Sequence, residues 1–329
     1  MPFISLFSSS LCLGTILALS SPYWLFIWLG LELNLMSFVP LLSSNTPPST
    51  SPAAMKYFLA QALGSGLLLL GAFLSLPNFY LTTPLNVMTL PLLLGILIKL
   101  GLPPCHFWFP SVAAMISWPM CTLLITWQKL APLLILCFIL TPKLHFTTIL
   151  IIMLSAFLGG IGGLVQTQLR PLLAYSSIGH LSWMLSASMV SKTICSLYLL
   201  TYIMISLPLM LLLWISTSIH SMMTPLTITS SSPYMFILLL SLSGFPPFLG
   251  FFPKWLVIES LALISIPIIL IILAGALINL YYYLNLSFLC LLSPYSPPLF
   301  QTPTPSLFIP ISLFSTLTLG IAPITFLIL

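Results

Sequence analysis

Gly101-Leu-Pro103-Pro104-Cys-His106-Phe-Trp-Phe109-Pro110 and Gly244-Phe-Pro246-Pro247-Phe-Leu-Gly-Phe-Phe252-Pro253 are the two stretches that decide the fold. Aligned without gaps they share Gly, Pro, Pro, Phe and Pro at the same offsets. Each lies inside an apolar segment too long for one plain span, near 88–115 and 233–261. Each has a lysine at its edge: Lys99 just before the first, Lys254 directly after the second. A Gly-Pro-Pro run ends a helix, because proline lacks the N–H and clashes with the preceding turn. In a bilayer such a break survives only where neighbouring helices or water satisfy the freed backbone.

Outward from these breaks the chain divides into about eleven apolar runs, at about 20 residues per membrane crossing. They fall near 3–20, 23–43, 55–76, 88–115, 118–140, 146–165, 171–190, 194–218, 233–261, 264–290 and 306–328. The breaks sit in the fourth and ninth runs. An odd separation of five makes the two broken helices run in opposite directions. That predicts an inverted repeat with two discontinuous helices, the arrangement that places ion sites near the bilayer midplane. The expected fold is an all-α polytopic membrane protein in one membrane domain, 1–329. Its first five-helix repeat spans about 3–140, its second about 146–290, with an extra C-terminal helix at about 306–328. Chance recurrence of Gly-Pro-Pro is the competing account of the match.

Composition agrees. Only nine of 329 residues are charged, seven Lys or Arg and two Glu, and 60% are hydrophobic. A soluble domain of this length would carry about 80 charges. Mean hydropathy is +1.22. A soluble enzyme, a nucleic-acid binder and a disordered chain are thereby excluded. The net charge of +5 comes from scattered cations, and a phosphate-binding stripe needs clustered ones. Six cysteines without a C-x-x-C pair give neither a zinc nor an iron–sulfur spacing. No cation precedes Lys56, so neither a signal peptide nor a transit peptide is expected, and the first run reads as a retained span. Lys56 and Arg170 fall on one side and Lys143 and Lys192 on the other, so the loops set no orientation.

Nine charges are few enough to question singly. A charge at the centre of a span costs roughly 2.5–3.5 kcal/mol on insertion scales and normally faces a cavity or a partner. Glu32, Lys99, Lys129 and Lys254 lie deep in apolar runs and are the candidate site, with structural ion pairing or snorkelling as the alternative. His106, inside the first break, and His180 are possible relays, since imidazole titrates near neutrality; satisfied structural histidines are the competing reading. Lys56, Lys143, Lys192 and Arg170 sit at span ends, where snorkelling explains them. Glu259 is left open between a paired and an interfacial carboxylate. Desolvation loosens a lysine's proton and a nearby carboxylate retains it. A row of lysines with one carboxylate partner is therefore suited to passing protons. The glycine run Gly159-Gly-Ile-Gly-Gly163 follows no strand, so it reads as a close helix-packing face and not a dinucleotide loop.

These residues carry a resemblance. Trp28-Leu-Gly-Leu-Glu32-Leu-Asn34, Lys56-Tyr-Phe-Leu-Ala-Gln61, Lys99-Leu-Gly with His106-Phe-Trp108, Thr126-Trp-Gln-Lys129-Leu-Ala-Pro132, Gln166-Thr-Gln-Leu-Arg170, Ala174-Tyr-Ser-Ser-Ile-Gly-His180 and Pro253-Lys-Trp255 are its most specific stretches. Over nearly its whole length the chain resembles the subunit 2 family of mitochondrial NADH:ubiquinone oxidoreductase, respiratory complex I, one of the antiporter-like families. The resemblance implies a proton-translocating subunit of the membrane arm in the mitochondrial inner membrane, with its N-terminus in the matrix and its gene in the organelle genome. It implies that Glu32, Lys99, Lys129 and Lys254 form a charged axis. It implies no cofactor on this chain, with NADH, FMN, iron–sulfur clusters and ubiquinone on other subunits. The implied partners are other membrane-arm subunits, neighbouring antiporter-like subunits among them, and lipids, with no nucleic acid. Ser111 stands where some relatives carry a carboxylate after the first break, which removes any role for an acid there. Two other functions fit the same spacing: a free-standing cation/proton antiporter, and a structural scaffold whose buried lysines are relics.

Overall fold

Leu6, Leu13, Leu63, Phe138, Leu270 and Leu277 point outward while Lys99, Lys129, Lys254, His180, Asn34 and Gln61 are buried. This inside-out polarity is what a bilayer selects, because lipid rewards an apolar exterior and polar groups must find partners within the protein. The computed structural model describes residues 2–43, 50–75, 85–140, 145–219, 232–246, 248–262 and 265–292. These residues form helices and their connections. The expected C-terminal helix at 306–328 lies outside them, as do Lys143 and His220.

Thirteen helices make up the first ten expected spans. The first three spans are single long helices: α1 (Pro2–Ser20), α2 (Trp24–Ser43) and α3 (Thr50–Leu74). The fourth is broken into α4 (Leu85–Leu100) and α5 (Trp108–Met115), the fifth into α6 (Trp118–Ile125) and α7 (Trp127–Ile139). Then come α8 (His145–Leu164), α9 (Leu169–Val190) and α10 (Lys192–Ile219). The ninth span is broken into α11 (Ser232–Ser243) and α12 (Phe251–Ala262), and α13 (Ile266–Leu292) is the tenth. Among the described residues, seven spans are long and apolar enough to cross a membrane.

The two anticipated breaks are present, and a third was not anticipated. It falls at Thr126, between α6 and α7, with φ −105° and ψ −69°. The Thr126 hydroxyl donates to the Thr122 carbonyl at 2.6 Å. Such back-bonding bends a helix. Pro132, inside α7, has no N–H to give the Gln128 carbonyl. Lys129 is thus the third residue after a kink, near the middle of the Trp118–Ile139 span, as expected.

The neighbour pattern recurs across the chain. α1 packs on α2 as α8 packs on α9; α3 touches both halves of the fourth span as α10 touches both halves of the ninth; α7 returns to α1 and α4 as α13 returns to α8 and α11. Glycine makes the tightest of these approaches. A Cβ on Gly14 would lie 2.8 Å from the Gly30 carbonyl, and one on Gly159 would lie 2.6 Å from the Gly179 nitrogen. The two sets of helices meet where α5, α6 and α7 face α9 and α10, and α12 also packs on α9.

Candidate functional site

Both expected breaks end their first half-helix in the same way. Gly101 has φ +70° and Gly244 φ +79°, the left-handed conformation that costs glycine little. The Gly101 N–H reaches the Ile98 carbonyl at 3.1 Å and the Leu102 N–H the Leu97 carbonyl at 3.0 Å. The Gly244 N–H reaches the Ser241 carbonyl at 3.1 Å and the Phe245 N–H the Leu240 carbonyl at 3.3 Å. These paired bonds are the Schellman termination, which satisfies carbonyls that a broken helix would leave open.

The first ending seats Lys99, in the last turn of α4. Its own carbonyl accepts the Gln61 side-chain N–H at 3.2 Å. The Ile98 carbonyl accepts the Trp108 indole N–H at 3.1 Å, reaching back across the break. Gly64 on α3 leaves room for the lysine stem, since a Cβ there would lie 3.1 Å from Lys99 Cγ. The Lys99 ammonium and Glu32 Oε2 are buried without a hydrogen-bond partner among the described residues. Glu32 acts on Lys99 through space. The two are charge neighbours rather than a closed ion pair.

The second ending seats Lys254, in the first turn of α12. Its ammonium donates to the carbonyl of Ser243, the last residue of α11, at 2.6 Å. It also lies 5.8 Å from the Trp183 ring centroid.

Lys129 stands between. It is 4% exposed, and its Nζ has no hydrogen-bond partner among the described residues. Aromatic faces hold it instead, Phe109 at 4.9 Å and Tyr202 at 5.9 Å. Phe109 is also the side chain against which Gly101 packs, so the first break and Lys129 share one ring. Gln128 donates to Asn34 at 3.4 Å and ties the start of α7 to the Glu32 helix.

His180 fills the gap towards Lys254. Its Nδ1 lies 3.0 Å from the Tyr198 hydroxyl, and its ring centroid lies 5.1 Å from that of Tyr202. Lys129 and Lys254 are its charged neighbours. A cavity lined by His180, Tyr198, Thr201, Tyr202, Ser241 and Gly250 adjoins it. It has room for about one water, but its lining is mostly apolar, with Ile205, Leu242 and Pro253 beside the hydroxyls. The side chains therefore run in the order Glu32, Lys99, Phe109, Lys129, Tyr202, His180, Lys254.

His106 stands apart. It is buried in the first break, with Nδ1 3.4 Å from the Pro104 carbonyl and its ring stacked on Phe107 at 4.2 Å. These contacts are local to its loop, and among the described residues no contact joins it to a lysine. Arg170, taken from sequence as a snorkelling residue, has a defined seat. Its guanidinium donates to the Ile116 carbonyl, which ends α5, and lies 5.9 Å from the Trp118 ring. Lys56 and Lys192 are exposed, as snorkelling residues are. Glu259 is exposed near the end of α12, away from the charged line. Tyr202, Tyr198, Phe109 and Asn34 were not singled out from sequence. Tyrosine and phenylalanine in an apolar run carry no signal of their own, and only proximity to lysine distinguishes them.

Sequence and structure comparisons place this architecture. The pattern of the NADH:quinone oxidoreductase/Mrp antiporter transmembrane family matches residues 21–279. NADH-ubiquinone oxidoreductase chain 2 of Lumbricus terrestris is 43% identical over 289 residues, 87% of this chain and 86% of that one. A chain in the structure of respiratory complex I from Thermus thermophilus superposes with a TM-score of 0.82 at 25% identity, over 97% of this chain and 78% of that one. A chain of the Mrp complex from Dietzia shares the fold, with a TM-score of 0.78 at 16% identity over 96% of this chain and 74% of that one. The chain belongs to the NADH-ubiquinone oxidoreductase chain 2 branch of the NADH:quinone oxidoreductase/Mrp antiporter membrane family.

Proposed function

We propose that this chain is a proton-translocating membrane-arm subunit of NADH:ubiquinone oxidoreductase, working in the mitochondrial inner membrane beside other membrane-arm subunits and lipids. The observation that carries the reading is the line of half-buried Glu32 and buried Lys99, Lys129, His180 and Lys254 across the junction of the two helix sets. Three buried lysines in one apolar chain are expensive to keep. As a scaffold they contribute nothing that leucine would not. As a relay each has a use.

The chain supplies the proton-holding groups, and the redox chemistry belongs to other subunits with NADH, FMN, iron–sulfur clusters and ubiquinone. Energy reaches this chain electrostatically. A change in charge near Glu32 alters its hold on the Lys99 proton. The proton passes through Lys129, bridged by His180, to Lys254 and then out. Moving one charge against 100 mV costs about 2.3 kcal/mol, so the switching of these interactions must supply at least that much per proton. His106 has no contact that would place it in this path, and it serves as a loop residue. The two five-helix repeats, about 3–140 and 146–290, are the units between which the relay runs.

The test replaces Lys129 with Met in the assembled complex. Proton translocation and NADH:quinone turnover are measured separately after assembly is verified. Loss or slowing of both in an intact complex is the expected result. Normal pumping would sink the relay and leave a scaffold. Cation/proton exchange by the purified chain alone would favour the free-antiporter reading, which the fold likeness to an Mrp subunit keeps in play.

A further inference from the structure

Cys137 and Cys195 take no part in the relay, yet their Sγ atoms lie 3.4 Å apart. Both are free, buried thiols. Cys137 lies in the last turn of α7 and Cys195 in the first turn of α10, so the pair joins the two helix sets near one membrane face. Ser188 and Lys192 are beside Cys137, and the Lys192 ammonium sits 4.2 Å above the Phe138 ring. A cationic neighbour is the setting in which a thiol reacts as its thiolate. The same two helices hold the centre of the relay. Lys129 lies about two turns before Cys137 on α7, and Tyr202 about two turns after Cys195 on α10.

We propose that Cys137 and Cys195 form a redox-active dithiol, and that its oxidation by a peroxide locks α7 to α10 and slows proton translocation. The thiolate of one cysteine attacks the peroxide O–O bond. An S–O bond forms, the O–O bond breaks, and the released hydroxide takes a proton to leave as water. The second sulfur then attacks the sulfenic sulfur. The S–S bond forms, and the displaced hydroxide takes the remaining thiol proton as a second water. Two thiols and one hydrogen peroxide give one disulfide and two waters, with two electrons passing from sulfur to oxygen. The sulfurs must close from 3.4 Å to about 2.05 Å to bond. A covalent tie there removes sliding of α7 against α10, and with it any movement of Lys129 relative to Tyr202.

The regulatory half of this proposal rests on the relay reading; the thiol chemistry does not. Membranes holding the intact complex are treated with hydrogen peroxide. Remaining thiols are alkylated in denaturant, and peptides are mapped without reduction. The exposed thiols Cys12 and Cys105 report that the oxidant has acted. The expected result is a peptide cross-linked through Cys137 and Cys195, with NADH:quinone turnover at least threefold lower and restored by dithiothreitol. Cys195→Ala abolishes the cross-link and that reversible component while leaving basal turnover intact. Full alkylation of Cys137 and Cys195 alongside oxidised Cys12 and Cys105 overturns the dithiol. A cross-link with unchanged turnover overturns the lock. Neither outcome depends on how the Lys129→Met complex pumps.

Discussion

Gly244→Ala tests whether the second break exists to seat Lys254. The new methyl would lie 2.7 Å from Lys254 Nζ, 2.8 Å from Cδ and 2.9 Å from Cε. Non-bonded carbon and nitrogen do not approach so closely, so the lysine end must leave its place. Moving it breaks the 2.6 Å bond to the Ser243 carbonyl. A hydrogen bond from a charged group contributes about 1.5–3 kcal/mol. That range corresponds to a fall of roughly ten- to a hundred-fold in the population of the seated lysine. The φ of +79° adds a separate backbone penalty of about 1–2 kcal/mol for a residue with a Cβ. The matched control is Gly66→Ala, where a Cβ meets nothing within 4 Å. There, replacing a helical glycine is favourable by roughly 0.5–1 kcal/mol. The assay is proton translocation and turnover in the assembled complex, with thermal denaturation in parallel. Gly244→Ala is expected to lower pumping at least tenfold and to melt earlier, whereas Gly66→Ala does neither. Wild-type pumping by an intact Gly244→Ala complex would refute the claim that the seated lysine is needed.

Three further outcomes follow from the same geometry. Gln61→Leu leaves the Lys99 carbonyl without its amide donor and should cost about 1–3 kcal/mol, read as a lower melting temperature; an unchanged melt would show that this bond is idle. Gly159→Ala drives a methyl to 2.6 Å from the Gly179 backbone nitrogen, so α8 and α9 must separate and assembled complex should be lost on native gels, with normal assembly counting against the close packing. Tyr202→Phe keeps the ring beneath Lys129 and should pump nearly as wild type, whereas Tyr202→Leu removes a face worth about 0.5–2 kcal/mol to the cation and should slow pumping; equal rates for the two would show that the ring contributes nothing.

The two breaks were legible because glycine and proline act on the backbone wherever they stand. Gly101 and Gly244 announce a left-handed residue, and the prolines after them announce the end of a helix. Thr126 announces nothing comparable. Its hydroxyl can bond back to Thr122 in any helix, and only the surrounding packing turns that bond into an interruption. The lysines were legible for a different reason: an ammonium in hydrocarbon needs a cause, so three of them in apolar runs stand out. What surrounds them was not legible. Tyr202 and Phe109 look like any aromatic residue in a membrane helix until folding brings them to Lys129. Proximity of Glu32 to Lys99 was anticipated, but closed contact was not found, because sequence carries no distance. Arg170 stands at a span end as expected, but its carbonyl partner was not legible. The carbonyl that it caps belongs to α5, more than fifty positions earlier in the chain.

The twin Schellman ends also decide what balances the cations. Seven basic residues face only two acidic ones in this chain. At Lys99 the carboxyl end of a half-helix, equivalent to about half an electron charge, adds to the Glu32 carboxylate; at Lys254 it stands without a carboxylate neighbour among the described residues. At Lys254 that end offsets the opposing amino end of α12, on which the residue stands. A peptide carbonyl differs from an aspartate in one respect: it does not take up a proton at any physiological pH. Whereas the Glu32 carboxylate is a competing base at Lys99, a proton arriving at Lys254 therefore finds none in its counter-charge. It stays on nitrogen or moves on, and the backbone bias remains constant from one turnover to the next.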